Sequence, residues 1–272
     1  MAVLPCAPCV AAARAAEALS GIASSSYQGT MEFGSTFDVP VKQMAVQTLA
    51  EAGLHIWHAR LDEGASSVQH YRNVLAASEL DRAAKFHFSV HQQRYIIAHG
   101  VLRHVLCLYT GGQPADVPIS QLDCGKPVLI ETALEFNLSH SHARVAIAIA
   151  RRQVGIDIEH VRPLPDAVAL AKRYLSESEA VFINQVPEQS RSLEFLRIWT
   201  RKEAFLKGRG LGLRVPVSIA GTPENDAEGN PTSGIEEHPS CWRFGEFWLD
   251  SDYLGSVAVH GGFDRIDTFY WE

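Results

Sequence analysis

No segment of this 272-residue chain stays apolar for the roughly 18–20 residues that a membrane-spanning helix needs, so a membrane partner is not expected. Positive charge is also short. Lysine and arginine number 24 against 31 aspartates and glutamates, a formal net charge of −7, which disfavours a nucleic-acid partner that needs a broad basic surface. A disulfide framework is missing too: the five cysteines, at positions 6, 9, 107, 124 and 241, are odd in number and show no framework spacing. That fits a reducing, cytoplasmic setting. Cys6-Ala7-Pro8-Cys9 outlines half a redox or metal motif, but no strand precedes it and no paired Cys or His tract follows. A secretory leader is not expected, because no basic segment opens the chain and Arg14 and Glu17 interrupt the early apolar stretch.

What is present suffices for a sizeable core. Apolar residues make up 46% of the chain, enough for one large domain or two smaller ones. Residues 1–50 read as an extension, with a weak alanine-rich helix over Val10 to Leu19 and a mobile Ser- and Gly-rich stretch over Ser20 to Asp38. Beyond it the patterning predicts a strand at 54–61, helices near 78–86 and 92–108, and strands within 128–150. A second series follows: strand 154–159, helices near 166–174, from 177 and near 191–207, then strands near 215–220, 241–249 and 254–260. Glu224 to Pro239 reads as a loop. The fold class is therefore α+β. Two similar halves, 51–151 and 152–272, would each pack a long helix on an antiparallel sheet, with a ligand cleft between them.

Two short stretches carry most of the chemistry. In Gly155-Ile156-Asp157-Ile158-Glu159, the period of two along a strand puts both carboxylates on one face and both isoleucines on the other. Carboxylates held so close repel unless a cation or basic residue lies between them, and Mg²⁺ is commonly held by one or two carboxylates plus substrate phosphates. A solvated strand face beside the Arg151-Arg152 turn has the same pattern. In the second stretch, Phe195, Ile198, Trp199, Phe205 and Leu206 recur at helical spacing, with the stem of Lys202 in the same stripe. Glu203 lies on its margin and Lys207 one turn on, so the two are expected to pair at a core boundary where a pKa can be tuned; an ordinary i,i+4 ion pair is the alternative.

A third stretch lies upstream. Phe136 to His142 reads as a polar turn leading into the apolar strand Val145 to Ala150. Arg151-Arg152-Gln153 then turns the chain and Val154 to Ile158 returns, predicting a hairpin that brings His140 beside Asp157 and Glu159. Ser139 and His140 would then face a phosphate, or His140 merely caps a loop. Gly208 to Leu213 follows a helix instead of opening one, which reads as a C-terminal cap and flexible exit and not a phosphate cradle; contact of its leucines with a protein partner is the alternative.

In order and spacing, Asn137-Leu138-Ser139-His140-Ser141, Gly155 to Glu159, and Trp199-x-x-Lys202-Glu203-Ala204-x-x-Lys207 resemble the motifs of the 4′-phosphopantetheinyl transferases. Within these the chain is similar to the larger, single-chain surfactin-synthetase-activating (Sfp) type, over about residues 55 to 260. The resemblance implies pseudo-twofold halves in a monomer. It also implies transfer of the phosphopantetheine arm of coenzyme A to a serine of an apo acyl or peptidyl carrier protein, releasing adenosine 3′,5′-bisphosphate. Asp157, Glu159 and Glu203 would hold Mg²⁺, Glu203 serving as base, ligand or both. Lys207 would neutralise the pyrophosphate, while Ser139 and His140 would bind phosphate oxygens. Arg82, Lys85, Arg94 and Lys126 would hold the nucleotide end, although Arg82 and Lys85 also read as a solvated helix face. Glu79 stands where some members carry a lysine, which removes one expected contact. A metal-dependent phosphodiester or pyrophosphate hydrolase and a non-catalytic coenzyme A or carrier-protein binding module remain as alternatives.

Overall fold

The computed structural model describes residues 49–211, 215–220 and 241–272; the expectations for Cys6 and Cys9, for Val10 to Asp38 and for Glu224 to Pro239 lie outside them. Two sheets organise these residues. The first has the order β4 (Glu135–Ser141), β5 (Arg144–Ala150), β1 (Gly53–Arg60), β9 (Arg265–Trp271). The second has the order β6 (Val154–His160), β8 (Tyr253–His260), β7 (Trp242–Leu249). A small ribbon pairs β2 (Ile119–Gln121) with β3 (Pro127–Leu129). The described helices are α1 (Ala65–Arg72), α2 (Ala77–Ala83), α3 (Ser89–Thr110), α4 (Ala167–Tyr174), α5 (Glu177–Gln185) and α6 (Glu188–Gly208).

Side-chain size along β5 explains how the layers stack. The sequence Val-Ala-Ile-Ala-Ile-Ala alternates large and small, and successive side chains point to opposite faces. Val145, Ile147 and Ile149 enter a core with Ile97, Val101 and Val105 of α3. Ala146, Ala148 and Ala150 instead meet Ile156, Ile158, Val257 and Val259 of the second sheet. β1 divides the same way, with Trp57 and Ala59 on the helix side and Leu54 and Ile56 between the sheets. On its far face the second sheet offers Leu254 and Ala258 to Ala204, Phe205 and Leu206 of α6. The order of layers is helix, sheet, sheet, helix, and each fully buried large side chain contributes about 1.5–3 kcal/mol.

Three expectations need correction. β5 does not form a hairpin with β6, because its two edges are already taken by β4 and β1; β6 pairs with β8 in the other sheet. Phe136 to Ser141 is a strand, β4, and not a turn. Around residues 215–220 there is a short 3-10 turn, Val217–Ile219, where a strand was expected; Pro216 lacks the N–H a central strand requires. The pattern also left β9 unassigned. This strand runs parallel to β1 and adds Trp271 to the first core.

Helix ends follow their local chemistry. α5 opens with a capping box in which Ser176 Oγ accepts from Glu179 N and the Glu179 carboxylate accepts from Ser176 N. α6 closes as the glycines predict. Gly210 has φ +69°, Leu211 N donates to Leu206 O at 2.9 Å, and Gly210 N donates to Lys207 O at 3.1 Å, the paired bonds of a Schellman motif.

Candidate active site

β6 and α6 touch closely enough to require glycine. A Cβ built on Gly155 would lie 1.9 Å from the carbonyl oxygen of Ala204 and 2.3 Å from the Gly208 nitrogen. Gly155, Asp157 and Glu159 share one strand face. That face is therefore pressed against the helix and is not a solvated surface. Asp157 is only 5% exposed.

Lys207 reaches this face from α6, and its partner differs from the one expected. Its Nζ donates to Asp157 Oδ1 at 2.6 Å and to Ser139 Oγ at 3.0 Å, and no hydrogen bond joins it to Glu203 among the described residues. Glu203 is half-buried without a hydrogen-bond partner among those residues. Burial raises its pKa, Asp157 and Glu159 add to the rise, and Lys207 opposes them. Burial also raises the pKa of Glu159, with the Ser141 hydroxyl as the main opposing influence and Asp157 adding to the rise. Three carboxylates thus feel one another across a desolvated space that holds one ammonium.

Ser139 holds the centre of this group. Its Oγ donates to Asp157 Oδ1 at 2.8 Å and accepts from Lys207 and from Ile158 N at 3.3 Å. A hydroxyl has one hydrogen and two lone pairs, so protein groups fill its capacity. The expected direct phosphate bond from this side chain has no atom left to make it. His140 reaches the surface, yet the protein around it excludes enough water to lower its pKa; His99 and Lys207 push the same way and Asp157 opposes. The strand that carries His140 lies beside the acidic strand, as the Ser139 and Ser141 contacts show, but alternation puts the His140 side chain on the opposite face of β4 from those two serines.

The basic residues of the first half divide. Arg82 and Lys85 are exposed and make no ion pair among the described residues. Arg94 is engaged with Asp62, its Nε and a terminal nitrogen lying 2.9 and 3.3 Å from the two carboxylate oxygens. The Lys126 side chain is largely covered: its Nζ donates to Gly208 O at 2.7 Å and lies 3.5 Å from Glu135 Oε2, which makes it a cap for the C-terminus of α6. Burial lowers its pKa and Glu135 opposes the fall. Glu79, the unexpected acid, accepts from Ala76 N at 2.8 Å and from Arg103 Nε at 2.7 Å. Burial alone would raise its pKa; contacts from His99, Ala76 and Arg103 bring it below the ordinary value. It ties α2 to α3.

Reading the sequence also passed over Asn137 and Ser141, although the polar alternation at 137, 139 and 141 was visible. Asn137 Oδ1 accepts from Ile156 N at 2.9 Å, Ser141 Oγ accepts from His160 N at 3.1 Å, and Ser141 donates to Glu159 Oε2 at 2.7 Å.

The donor set fits a divalent oxygen-seeking cation. Asp157 Oδ2 is buried with no hydrogen-bond partner among the described residues, and Glu159 and Glu203 carry raised pKa values that an added positive charge would reverse. Among the described residues, no three His, Cys, Asp or Glu side chains are gathered closely enough to hold an ion by themselves. Substrate oxygens would have to complete such a shell, as is usual for Mg²⁺.

The sequence profile of the 4′-phosphopantetheinyl transferase superfamily matches residues 153–258, from β6 through most of β8. The 4′-phosphopantetheinyl transferase HetI of Nostoc sp. strain PCC 7120 is 35% identical over 221 residues, covering 79% of this chain and 90% of the relative. The 4′-phosphopantetheinyl transferase psf-1 of Bacillus pumilus is 28% identical over 178 residues, 65% of this chain and 75% of the relative. The 4′-phosphopantetheinyl transferase Sfp of Bacillus subtilis is 25% identical over 150 residues, 55% and 66% of the two chains. This chain belongs to the 4′-phosphopantetheinyl transferase superfamily and is an enzyme of that class. No described helix is long and apolar enough to cross a membrane.

Proposed function

We propose that the chain transfers 4′-phosphopantetheine from coenzyme A to a serine of an apo carrier protein, with Mg²⁺ held through Asp157, Glu159 and Glu203. The observation that carries this reading is the buried Asp157 carboxylate, which binds Lys207 through one oxygen and has no hydrogen-bond partner among the described residues for the other, on the strand face it shares with Glu159. When bound, Mg²⁺ would neutralise and polarise the pyrophosphate oxygens. Glu203, without a hydrogen-bond partner among the described residues, is free to take the proton of the incoming serine hydroxyl. The serine oxygen forms its bond to the β-phosphorus as the bond from that phosphorus to the bridging oxygen breaks, and adenosine 3′,5′-bisphosphate leaves.

Lys207 then turns part of its charge from Asp157 to the phosphates, where lysines stabilise developing negative charge. His140 contacts a phosphate oxygen from the β4 side. Ser139 acts by holding Asp157 and Lys207. Arg82 and Lys85, free of ion pairs among the described residues, are the cations open to the nucleotide. Arg94 reaches it only by sharing or leaving Asp62, and Lys126 only by giving up the helix end. One chain supplies every one of these residues, in keeping with a monomer, and free thiols at Cys107, Cys124 and Cys241 suit the cytoplasm.

The test is intact-mass measurement on a panel of apo acyl and peptidyl carrier proteins, incubated with the purified chain, coenzyme A and Mg²⁺. A gain of one phosphopantetheine on the carrier is expected. Cleavage of coenzyme A with no carrier modified would favour the hydrolase, and a folded protein that alters neither would leave only binding.

A further inference from the structure

We infer that Ser141 is a positioning residue for Glu159, one rung of a side-chain ladder that joins the two sheets and aims the acidic strand at its ligand. This rests on the metal-holding reading above and deepens it.

β4 is an edge strand of the first sheet and β6 an edge strand of the second. The outer amides of an edge strand need partners. On β6 three of them, at Ile156, Ile158 and His160, are satisfied by side chains lying 19 residues earlier, at Asn137, Ser139 and Ser141. The constant offset means that the two strands run in step. Asn137, Ser139 and Ser141 project from one face of β4. The edge of β6 therefore sits over that face, and side chains replace the backbone ladder that neither sheet could extend.

Two rungs repeat the same geometry. Ser139 accepts from the amide of residue 158 and donates to the carboxylate of residue 157 at 2.8 Å. Ser141 accepts from the amide of residue 160 and donates to the carboxylate of residue 159 at 2.7 Å. Each hydroxyl thus fixes a backbone position and, through the same oxygen, the direction of the acid beside it. Ser139 is further committed to Lys207, whereas Ser141 serves Glu159 alone among the described acids. Groups that orient a metal-binding carboxylate typically alter metal affinity by about 10–100-fold when removed.

The test is Mn²⁺ binding to the full-length protein in the presence of coenzyme A and without carrier protein, read from the loss of the free-ion EPR signal relative to coenzyme A alone. Ser141→Ala is expected to weaken binding about tenfold, Ser141→Thr to restore it, and Ser141→Ala in a Glu159→Gln background to cause no further loss. Ser141→Cys keeps the side chain's bulk with only a weak donor and is expected to fall with Ser141→Ala, should the alanine variant not fold. If the parent protein binds Mn²⁺ and Ser141→Ala and Ser141→Cys bind it equally well, or if the loss persists in the Glu159→Gln background, the role given to Ser141 is wrong. If the parent protein binds no Mn²⁺, the metal-holding reading fails first and takes this inference with it.

Discussion

Lys202 and Glu203 are neighbours on α6, yet they face opposite kinds of surroundings. Lys202 is 1% exposed. Its Nζ lies 2.8 Å from Glu179 Oε2 and donates to Val217 O at 3.2 Å, and Glu179 is itself bound into the cap of α5. Every charge there is answered. About 100° around the helix, Glu203 feels Asp157, Glu159 and a single ammonium, and Asp157 Oδ2 has no hydrogen-bond partner among the described residues. The difference shows how one helix serves two ends. A closed ion pair between α5 and α6 fixes where the helix lies, while an unbalanced set of charges on its other side stays available for a ligand.

Substitution should separate the two sides cleanly. Glu203→Gln removes the proposed base without removing any hydrogen bond to described residues. Carrier modification is expected to slow by about 10²–10⁴-fold, with a thermal midpoint at or above the parent's because a like charge is gone. Lys202→Ala should do the reverse. Removing one partner of a buried pair costs about 3–5 kcal/mol, read as a lower urea midpoint, and the protein that remains folded should keep its turnover. Replacing both partners, Lys202→Met with Glu179→Leu, is expected to recover most of that stability. A double variant that recovers stability but not turnover would give Lys202 a part in the chemistry and break the contrast.

The contrast was only half legible in the sequence. The two faces of β6 could be read because alternation is a local property of a strand, and Gly155 marked the close approach only once α6 was in place. The partner of Lys207 could not be read. Spacing along a helix offered Glu203, but tertiary packing brought Asp157 and Ser139, which no local rule ranks. The mistaken β5–β6 hairpin has a similar origin, since a short turn suggests pairing but cannot show that β4 and β1 already fill both edges of β5. Asn137, Ser139 and Ser141 were read as a turn because asparagine and serine are weak strand formers. Their alternation was the better signal, and its meaning depended on an edge strand arriving from the other sheet. The Ser176–Glu179 capping box is a local pattern, whereas the bond from Glu179 to Lys202 joins separate helices and leaves no pattern.

The smallest expected effect tests the same distinction through pH, in protein stripped of metal with a chelator. Glu79, answered by Arg103 and His99, has a pKa below the ordinary value of 4.5. As pH falls past that value the unfolded chain takes up this proton first, so the stability Glu79 contributes is complete above the ordinary value and is lost as pH drops through the lowered one. Glu159 and Glu203 have pKa values raised above 4.5. Here the folded state binds the extra protons, and stability falls as pH rises from the ordinary value through the raised ones. Urea unfolding across the acid range should therefore show a rise that Glu79→Gln flattens and, at higher pH, a decline that Glu203→Gln flattens. Mg²⁺ should oppose that decline, because a bound cation favours the ionised carboxylates in the folded state alone. If Glu203→Gln flattened the rise instead, its carboxylate would be paired in solution, and the unbalanced charge on which both the base and the metal assignments depend would not exist.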